Sequence, residues 1–431
     1  MAKVKKDAQY FIDKYGYDPF TCDIELLRKE VTRYKDDEDY WNTMQLSAKR
    51  FINSVYGVFG SAYFNLANTD IAESITLQGQ DLIKFSVNAI NKYFREKWPK
   101  DVEGHKRTSK IMLEDYPDFD AANFEYLAGV NQLQFETLQI YGDTDSAYIT
   151  LQPLIDSYHI PESQQIDFCL AVYNAVMKDY LDECFNKYAE FYHCKENLEN
   201  FELEKVSRSV IMLAKKNYMC DVAWVDSGTY FKPVDHVTYT GFDVVKGSCP
   251  NYCRKELKAF TEFVFTKINS GGIPTIGEIV QKVREIKKRF CMQAPDDISK
   301  TMGISDYDSY IYNDKDENGF IPWTDSKTKK KVIVPINVRA AAIYNNLLYT
   351  KQRKYLSKYE TLKAGDKVRF YYINEDDVFG FVPDNFPMEF APPINVDIQF
   401  EKMLLSPINR IVTALGYDEI PNSLTYSVGL W

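Results

Sequence analysis

The sequence lacks a metal-finger framework, a histidine cluster and any long apolar run, and each absence removes a class of protein. Its eight cysteines make no paired CxxC set. Cys249 and Cys253 are the nearest pair, with no second pair or neighbouring histidine to complete a zinc site. The four histidines, His105, His159, His193 and His236, stand apart and are expected to be surface or structural residues. Walker A, HExxH and GxSxG strings are missing, which sets aside the common phosphate-loop, zinc-hydrolase and serine-hydrolase readings. No secretory signal opens the chain and no apolar segment is long enough to span a bilayer. Reduced, buried thiols in a cytoplasmic protein are therefore expected. Internal repeats and low-complexity tracts are absent as well.

What is present is 431 residues, enough for two or three packed units. An apolar fraction of 45% and a charged fraction of 26% fit an ordinary globular protein. The 32 tyrosines and 27 phenylalanines supply many flat surfaces, most of them accounted for by core and interface packing. A net charge of −10 seems to disfavour a polyanionic partner. Nucleic-acid binding depends on local basic stripes, however, and a metal-holding enzyme needs clustered carboxylates, so the sum decides nothing.

Hydrophobic spacing outlines the elements. After a charged opening, the acidic run Asp36 to Asp39 reads as a solvated turn, and Asp23-Ile24-Glu25 as an ordinary helix segment. From Tyr40 to Phe59, Trp41, Met44, Ala48, Phe51, Ile52, Val55 and Phe59 form one apolar stripe. A second helix is expected from about Ile71 to Trp98, burying Ile75, Leu82, Phe85, Ala89, Ile90, Tyr93 and Phe94. Lys100 to about Asp120 reads as a polar loop, and Leu133 to Leu151 as two strands around a tight turn. Further helices are expected at Ile166–Phe191, Cys253–Ile268, Ile276–Phe290 and Ile398–Leu415, with a soft boundary near Lys205. The fold class is α+β, with a central hairpin and no alternating βαβ pattern.

Two constellations carry chemistry. In Lys49-x-x-x-Asn53-Ser54-Val55-Tyr56-Gly57, Lys49, Asn53 and Tyr56 follow at i, i+4 and i+7 and share a helical face turned from the apolar stripe. A lysine offers a point charge for phosphate, an amide offers hydrogen bonds, and a phenol offers a plane and a hydroxyl. Gly57 would admit another group close to the backbone. An exposed polar helix face explains the same spacing without any ligand. The second is Ile140-Tyr141-Gly142-Asp143-Thr144-Asp145-Ser146-Ala147-Tyr148-Ile149. Two carboxylates at the tip of an apolar hairpin repel unless a cation sits between them, and Mg²⁺ suits such a tip because it keeps waters and substrate phosphates as ligands. A turn built for its backbone conformation is the alternative.

These strings, in this order, resemble the fingers-helix motif and the palm-hairpin motif of family B DNA polymerases. The likeness extends to Ile75-Thr76-Leu77-Gln78-Gly79-Gln80, similar to the start of the palm helix in T-even-like bacteriophage polymerases. It also takes in Phe201-Glu202-Leu203-Glu204-Lys205 followed by Lys215-Lys216-Asn217-Tyr218, similar to the palm-to-thumb passage. Pro335-Ile336-Asn337-Val338-Arg339, then Tyr344-Asn345, resembles a thumb segment. Coverage runs from roughly Tyr40 to the C-terminus.

The resemblance implies a right-hand polymerase fragment: fingers over residues 1–60, palm over 61–205 packed by long helices, and a mixed thumb over 206–431. Asp145 matches the metal-binding carboxylate and Asp143 its supporting neighbour. A primer 3′-hydroxyl would attack the α-phosphate of a nucleotide, assisted by two Mg²⁺ ions about 3.5–4 Å apart. Lys49 and Asn53 would grip the triphosphate, and Tyr56 and Gly57 would lie against the nascent base pair. Lys215, Lys216 and Tyr218 would contact primer–template DNA. Asn217 replaces the arginine usual at its place, which weakens one backbone contact. Glu204 is expected either as an auxiliary carboxylate near the metals or as a strand residue in a salt bridge.

Lys327 to Lys331 and Lys351 to Lys358 could track phosphates, though a solvated charged loop is the more common explanation for either. The tail Ser423 to Trp431 resembles sliding-clamp-binding tails, with packing onto the thumb as the alternative. The second catalytic aspartate of the family lies in an earlier motif of DxxSLYP type, and no such string occurs here. Fewer than fifty residues precede Lys49, and the chain opens with Met, so a split polymerase is expected, with an artificial truncation of a longer chain as the alternative. A partner chain would carry the exonuclease, the first palm segment and the other fingers helix, and would share the Mg²⁺ ions. The rival classes are a non-catalytic DNA-binding accessory that keeps the fold and, more remotely, a glycosyltransferase using Asp143-Thr144-Asp145 as a DxD motif.

Overall fold

The computed structural model describes residues 12, 16–18, 21–65, 67–143, 146–199, 201–307, 334–375 and 377–426, without the Asp143 side chain. In chain order the helices are α1 (Ile24–Phe59), α2 (Thr69–Lys92), α3 (Val102–Asp115) and α4 (Ala121–Val130). The hairpin β1 (Gln139–Asp143) and β2 (Ser146–Ile149) follows, then α5 (Gln152–Ser157), α6 (Gln165–Val172) and α7 (Lys178–Phe191). Strands β3 (Lys205–Ala214), β4 (Asn217–Val225) and β5 (Val237–Thr240) precede α8 (Asn251–Ile268) and α9 (Ile276–Phe290). The chain continues through β6 (Lys300–Gly303), α10 (Ile336–Thr350), β7 (Lys367–Tyr372), β8 (Val378–Phe381), α11 (Val396–Phe400) and α12 (Ser406–Ala414). Among the described residues the strands form three antiparallel sheets, β1-β2, β3-β4-β5 and β6-β7-β8, packed with long helices, which makes the fold α+β.

One unit comprises Met1–Lys97 and Leu133–Leu151. Asp23 starts α1 by accepting the Glu25 N–H at 3.3 Å, and the helix then runs unbroken through Asp36 to Asp39. The solvated turn expected there is absent: charged residues at successive positions cost little in a helix that is solvated all round. No residue of α1 is buried. The stripe expected to anchor the helix is on the surface, with Trp41 67% and Phe51 71% exposed. In α2 burial begins only at Ser86, and Val87, Ala89 and Ile90 lead into a π turn (Tyr93–Lys97) with Tyr93 and Phe94 inside. Ile75, expected inside, is 48% exposed.

The other unit comprises Trp98–Gln132 and Gln152–Trp431. The polar loop expected over Lys100 to Asp120 is largely helix α3, capped by Asp101, which accepts the Gly104 N–H at 2.8 Å. Its buried face is Gly104, His105, Thr108, Ser109 and Met112, so a search for apolar periodicity passes over it. A Cβ at Gly104 would lie 2.8 Å from Val176 Cγ1, which is how closely α3 meets the π turn joining α6 to α7. His105 is structural: its Nε2 meets the Trp98 carbonyl at 2.7 Å, and the Trp98 indole donates to Tyr158 Oη at 2.8 Å.

Downstream, β3–β5 close a core with α8, α9 and α12 around Phe260, Phe265, Phe290 and Phe400. A capping box starts α9: Thr275 accepts the Glu278 N–H, and Glu278 accepts the Thr275 N–H. A second core joins β6–β8 to α10 around Tyr344, Phe370 and Tyr371. Sequence reasoning left α10 unassigned because its buried positions include Ala340, Ala341, Asn337 and Asn345, a stripe with few large apolar residues. All eight cysteines are free, and Cys194 and Cys291 are exposed rather than buried.

Candidate nucleotide and DNA site

Within the first unit, Lys49, Asn53, Tyr56 and Gly57 all lie in the last turns of α1 and are exposed. The helical spacing places Lys49, Asn53 and Tyr56 on one face. Lys49 makes no ion pair among the described residues, so its ammonium is open to solvent and to an anion. No atom lies within 4 Å of the place a Cβ would take at Gly57, so this face of the helix has room for a ligand.

Tyr56 is tied to α2. Its hydroxyl lies 2.7 Å from Thr76 Oγ1. Because Thr76 already donates to the Ala72 carbonyl at 3.0 Å, Tyr56 is the donor. The two segments singled out separately in the sequence, around Tyr56 and around Thr76, are thus hydrogen-bonded to each other.

The hairpin is antiparallel, with Gln139 opposite Ile149, Gly142 opposite Ala147 and Asp143 opposite Ser146. Its irregular register between Gln139 and Tyr141 leaves Tyr141 beside Tyr148, rings 5.9 Å apart. Asp145 and the Asp143 carboxylate lie outside the described residues. Among the described residues no group of three potential metal ligands occurs. Carboxylate oxygens such as those of Asp143 and Asp145 are hard ligands, which suit Mg²⁺ better than a softer ion.

Two residues that sequence reasoning missed hold this hairpin. Asn91, buried on α2, accepts the Leu138 N–H at 2.9 Å and donates to Thr137 Oγ1 at 3.1 Å. One turn later Arg95 donates to the carbonyls of Phe135 (3.2 Å) and Glu136 and lies 4.9 Å over the Phe135 ring. A clue was available: Asn91 sits among the buried-face residues Val87, Ile90 and Phe94, where an amide must find partners.

In the second unit, Lys215 and Lys216 form the exposed turn between β3 and β4, while Tyr218 is buried in β4. Asn217 is half-buried beside the turn. Glu204 precedes β3, is exposed and makes no ion pair among the described residues; its carbonyl accepts the Asp226 N–H at 2.9 Å. Of the other basic stretches, Lys351, Arg353, Lys354 and Lys358 are exposed, with Lys358 paired to Glu389, and Lys327 to Lys331 lie outside the described residues. The C-terminal segment is described to Tyr426, and Ser427 to Trp431 lie outside. Lys287, buried on α9, donates to Asn422 and Thr425 at 2.9 Å, pairs with Asp397 at 2.8 Å and lies 3.6 Å over the Tyr426 ring. No helix of the described residues is long and apolar enough to cross a membrane.

Comparison with known proteins accounts for this assembly of motifs. A DNA-directed DNA polymerase of Escherichia phage RB69 is 23% identical over 244 residues, covering 54% of this chain and 23% of that protein. The DNA polymerase catalytic subunit of human herpesvirus 6A (strain Uganda-1102) is 24% identical over 264 residues, covering 58% of this chain and 22% of that protein. The DNA polymerase delta catalytic subunit of Candida albicans is 29% identical over 124 residues, covering 29% of this chain and 11% of that protein. The chain thus spans less than a quarter of the length of these relatives. The family model for DNA polymerase family B matches residues 25–310, well over half of the chain, and the chain belongs to that family.

Proposed function

We propose that the chain forms the C-terminal part of the catalytic module of a DNA-directed DNA polymerase, extending a primer on a DNA template with deoxynucleoside triphosphates. The observation that carries this is the exposed Lys49, Asn53 and Tyr56 face of α1, tied by Tyr56 to the α2 helix whose far end holds the Asp143–Asp145 hairpin. The fingers then occupy residues 1–60, the palm 61–205 and the thumb 206–431.

Lys49 and Asn53 bind and orient the triphosphate, and the Lys49 charge stabilises the negative charge that develops on the leaving pyrophosphate. The primer 3′-oxygen forms its bond to the α-phosphorus as the bond to pyrophosphate breaks. Tyr56 and Gly57 bound the nascent pair on a surface that reads shape. Asp145 and Asp143 would hold Mg²⁺, with Glu204 as an auxiliary carboxylate. When bound, the ions activate the attacking oxygen and neutralise phosphate charge. Lys215 and Lys216, backed by Tyr218, grip the phosphates of the primer–template duplex.

A partner polypeptide completes the site. Two observations support it: these 431 residues contain no DxxSLYP-type motif for the second aspartate, and α1 exposes Trp41, Met44, Phe51, Ile52 and Val55 of its apolar stripe. A contiguous exposed apolar face of that kind is a mark of association. The partner supplies the exonuclease and the remaining palm and fingers, and the tail Ser423 to Trp431 would dock on a sliding clamp.

Primer extension with Mg²⁺ and four nucleotides tests the reading, using the chain alone and with candidate partners. Extension is expected only with a partner carrying the missing motif, and Asp145→Asn is expected to abolish it while DNA affinity stays unchanged. Extension by Asp145→Asn at the wild-type rate overturns the catalytic assignment and leaves a DNA-binding accessory. Extension by the chain alone overturns the shared site.

A further inference from the structure

The turn that carries Lys215 and Lys216 is held in an unusual way. Lys216 has φ +58°, in the left-handed region that residues with a side chain seldom enter. Its flanks are in register, with Ala214 opposite Asn217, so the chain reverses within two residues. On the other side of β4, Tyr218 pairs with Thr240, the last residue of β5. Gly241 follows at φ +65°. A Cβ on Gly241 would stand 2.0 Å from the Lys216 carbonyl oxygen, 3.1 Å from its carbonyl carbon and 3.4 Å from Asn217 Cα. All three are backbone atoms, so no side-chain rotation could relieve the contact; the turn itself would have to move.

Two independent demands therefore meet at Gly241: its own left-handed conformation and the close approach of the Lys216 peptide. The bare backbone of Gly241 lies against the inner side of the turn, and both lysines of that turn are exposed. The geometry points to Gly241 as a positioning residue that sets where Lys216 presents its ammonium group to the phosphate backbone of a DNA duplex. Gly241 touches no DNA in this scheme and carries no charge; it acts through the shape of the turn. The inference rests on the proposed role of that turn in DNA binding.

The test is the salt dependence of binding between the full-length chain and a fluorescent primer–template duplex, read by anisotropy from 50 to 200 mM salt. Three variants are needed: Lys216→Gly, which suits the left-handed turn and removes the charge, Gly241→Ala, and the two combined. Losing one phosphate contact lowers the salt exponent by about one, so the fall in affinity across this fourfold salt range becomes about 3.5-fold smaller. Lys216→Gly is expected to show this. Gly241→Ala is expected to show the same loss although it removes no charge, a change that a merely destabilised fold would not produce. The double variant is expected to match Lys216→Gly alone, because the two changes act on one contact.

A full wild-type salt exponent in Gly241→Ala, or effects that multiply in the double variant, overturns the positioning role while leaving the DNA grip intact. If Lys216→Gly leaves the exponent unchanged, or the wild-type chain fails to bind the duplex, the DNA-grip reading falls first and the inference with it. Should Gly241→Ala fail to fold, Lys216→Gly in the same chain is expected to restore folding, since a glycine can yield to the new methyl group. A double variant that stays unfolded also overturns the inference.

Discussion

Replacing Asn91 tests whether the β1–β2 hairpin is held from α2. The Asn91 amide is the acceptor for the Leu138 N–H at 2.9 Å and a donor to Thr137 at 3.1 Å, and Leu138 is fully buried. Asn91→Ala leaves a buried N–H without an acceptor, a loss of about 1–3 kcal/mol. The Leu138 carbonyl separately accepts from Thr150, closing the base of the hairpin, so the damage should stay local. Taking about 2 kcal/mol, the opening equilibrium of residues 138–149 rises about 30-fold. Asn91→Leu fills the volume and still lacks the acceptor, so it should behave like alanine; a recovery in that variant would assign the effect to a cavity instead. Hydrogen exchange of peptides spanning 138–149 reads this directly, with α8 and α9 as internal controls. Unchanged protection, or an equal loss in α9, refutes the argument. In the extension assay with a partner chain, the same variants should lose rate in proportion to the fraction of open hairpin.

Other perturbations follow from contacts elsewhere in the chain. Arg289 donates to both oxygens of the buried Glu256 at 3.0 and 2.7 Å, and Tyr252 adds a third bond. Burial pushes Glu256 up, but the Arg289 and Tyr252 bonds outweigh it and hold the carboxyl below its usual range. Its stabilising contribution is therefore present above the unfolded carboxylate value and fades as pH falls through the depressed one. Arg289→Met should cost about 1–2 kcal/mol at neutral pH, discounted because Arg289 is nearly half exposed, and the deficit should shrink on acidification; urea midpoints against pH check both. Lys287→Met removes the buried cation that holds Asn422, Thr425 and Tyr426, and should speed chymotryptic cleavage at Tyr426 several-fold while leaving the far-ultraviolet spectrum unchanged. Replacing Trp41 and Phe51 by glutamate should change the stability of the isolated chain by less than about 0.5 kcal/mol, since both are exposed, yet abolish co-purification with a partner chain.

The candidate site was legible because its chemistry is local. Lys49, Asn53 and Tyr56 needed only a helix to share a face, and the Asp143–Asp145 string needed only two short flanking strands, which β1 and β2 provide. Helices α8 and α9 were equally plain, since Phe260, Val264, Ile279, Val283 and Ile286 repeat at helical spacing. What escaped notice depends on contacts that spacing does not encode. Helix α3 buries a glycine, a histidine, a threonine and a serine, so its inner face looks like a solvated loop. Asn91 and Arg95 look like ordinary polar breaks in an apolar stripe until the backbone they grip is seen. Tyr218 belongs to the lysine turn by sequence, yet strand alternation sends it into the sheet as the lysines face out.

Helix α1 draws the two kinds of evidence together. Amphipathic spacing states that a face must be covered, because a stripe holding Trp41, Met44, Phe51, Ile52 and Val55 is costly to leave in water. It carries no information about what does the covering. The fold answers part of that question, since every one of these side chains is exposed and α1 has no buried residue at all. Amphipathic helices gain most of their stability from packing that face. The polar face of the same helix carries Lys49 and Asn53, so whatever seats the stripe would also fix the orientation of these two side chains. On the proposed function, recruitment of a second aspartate and alignment of the triphosphate would then be one event, because the apolar stripe proposed for the partner lies beside the polar face proposed for the nucleotide.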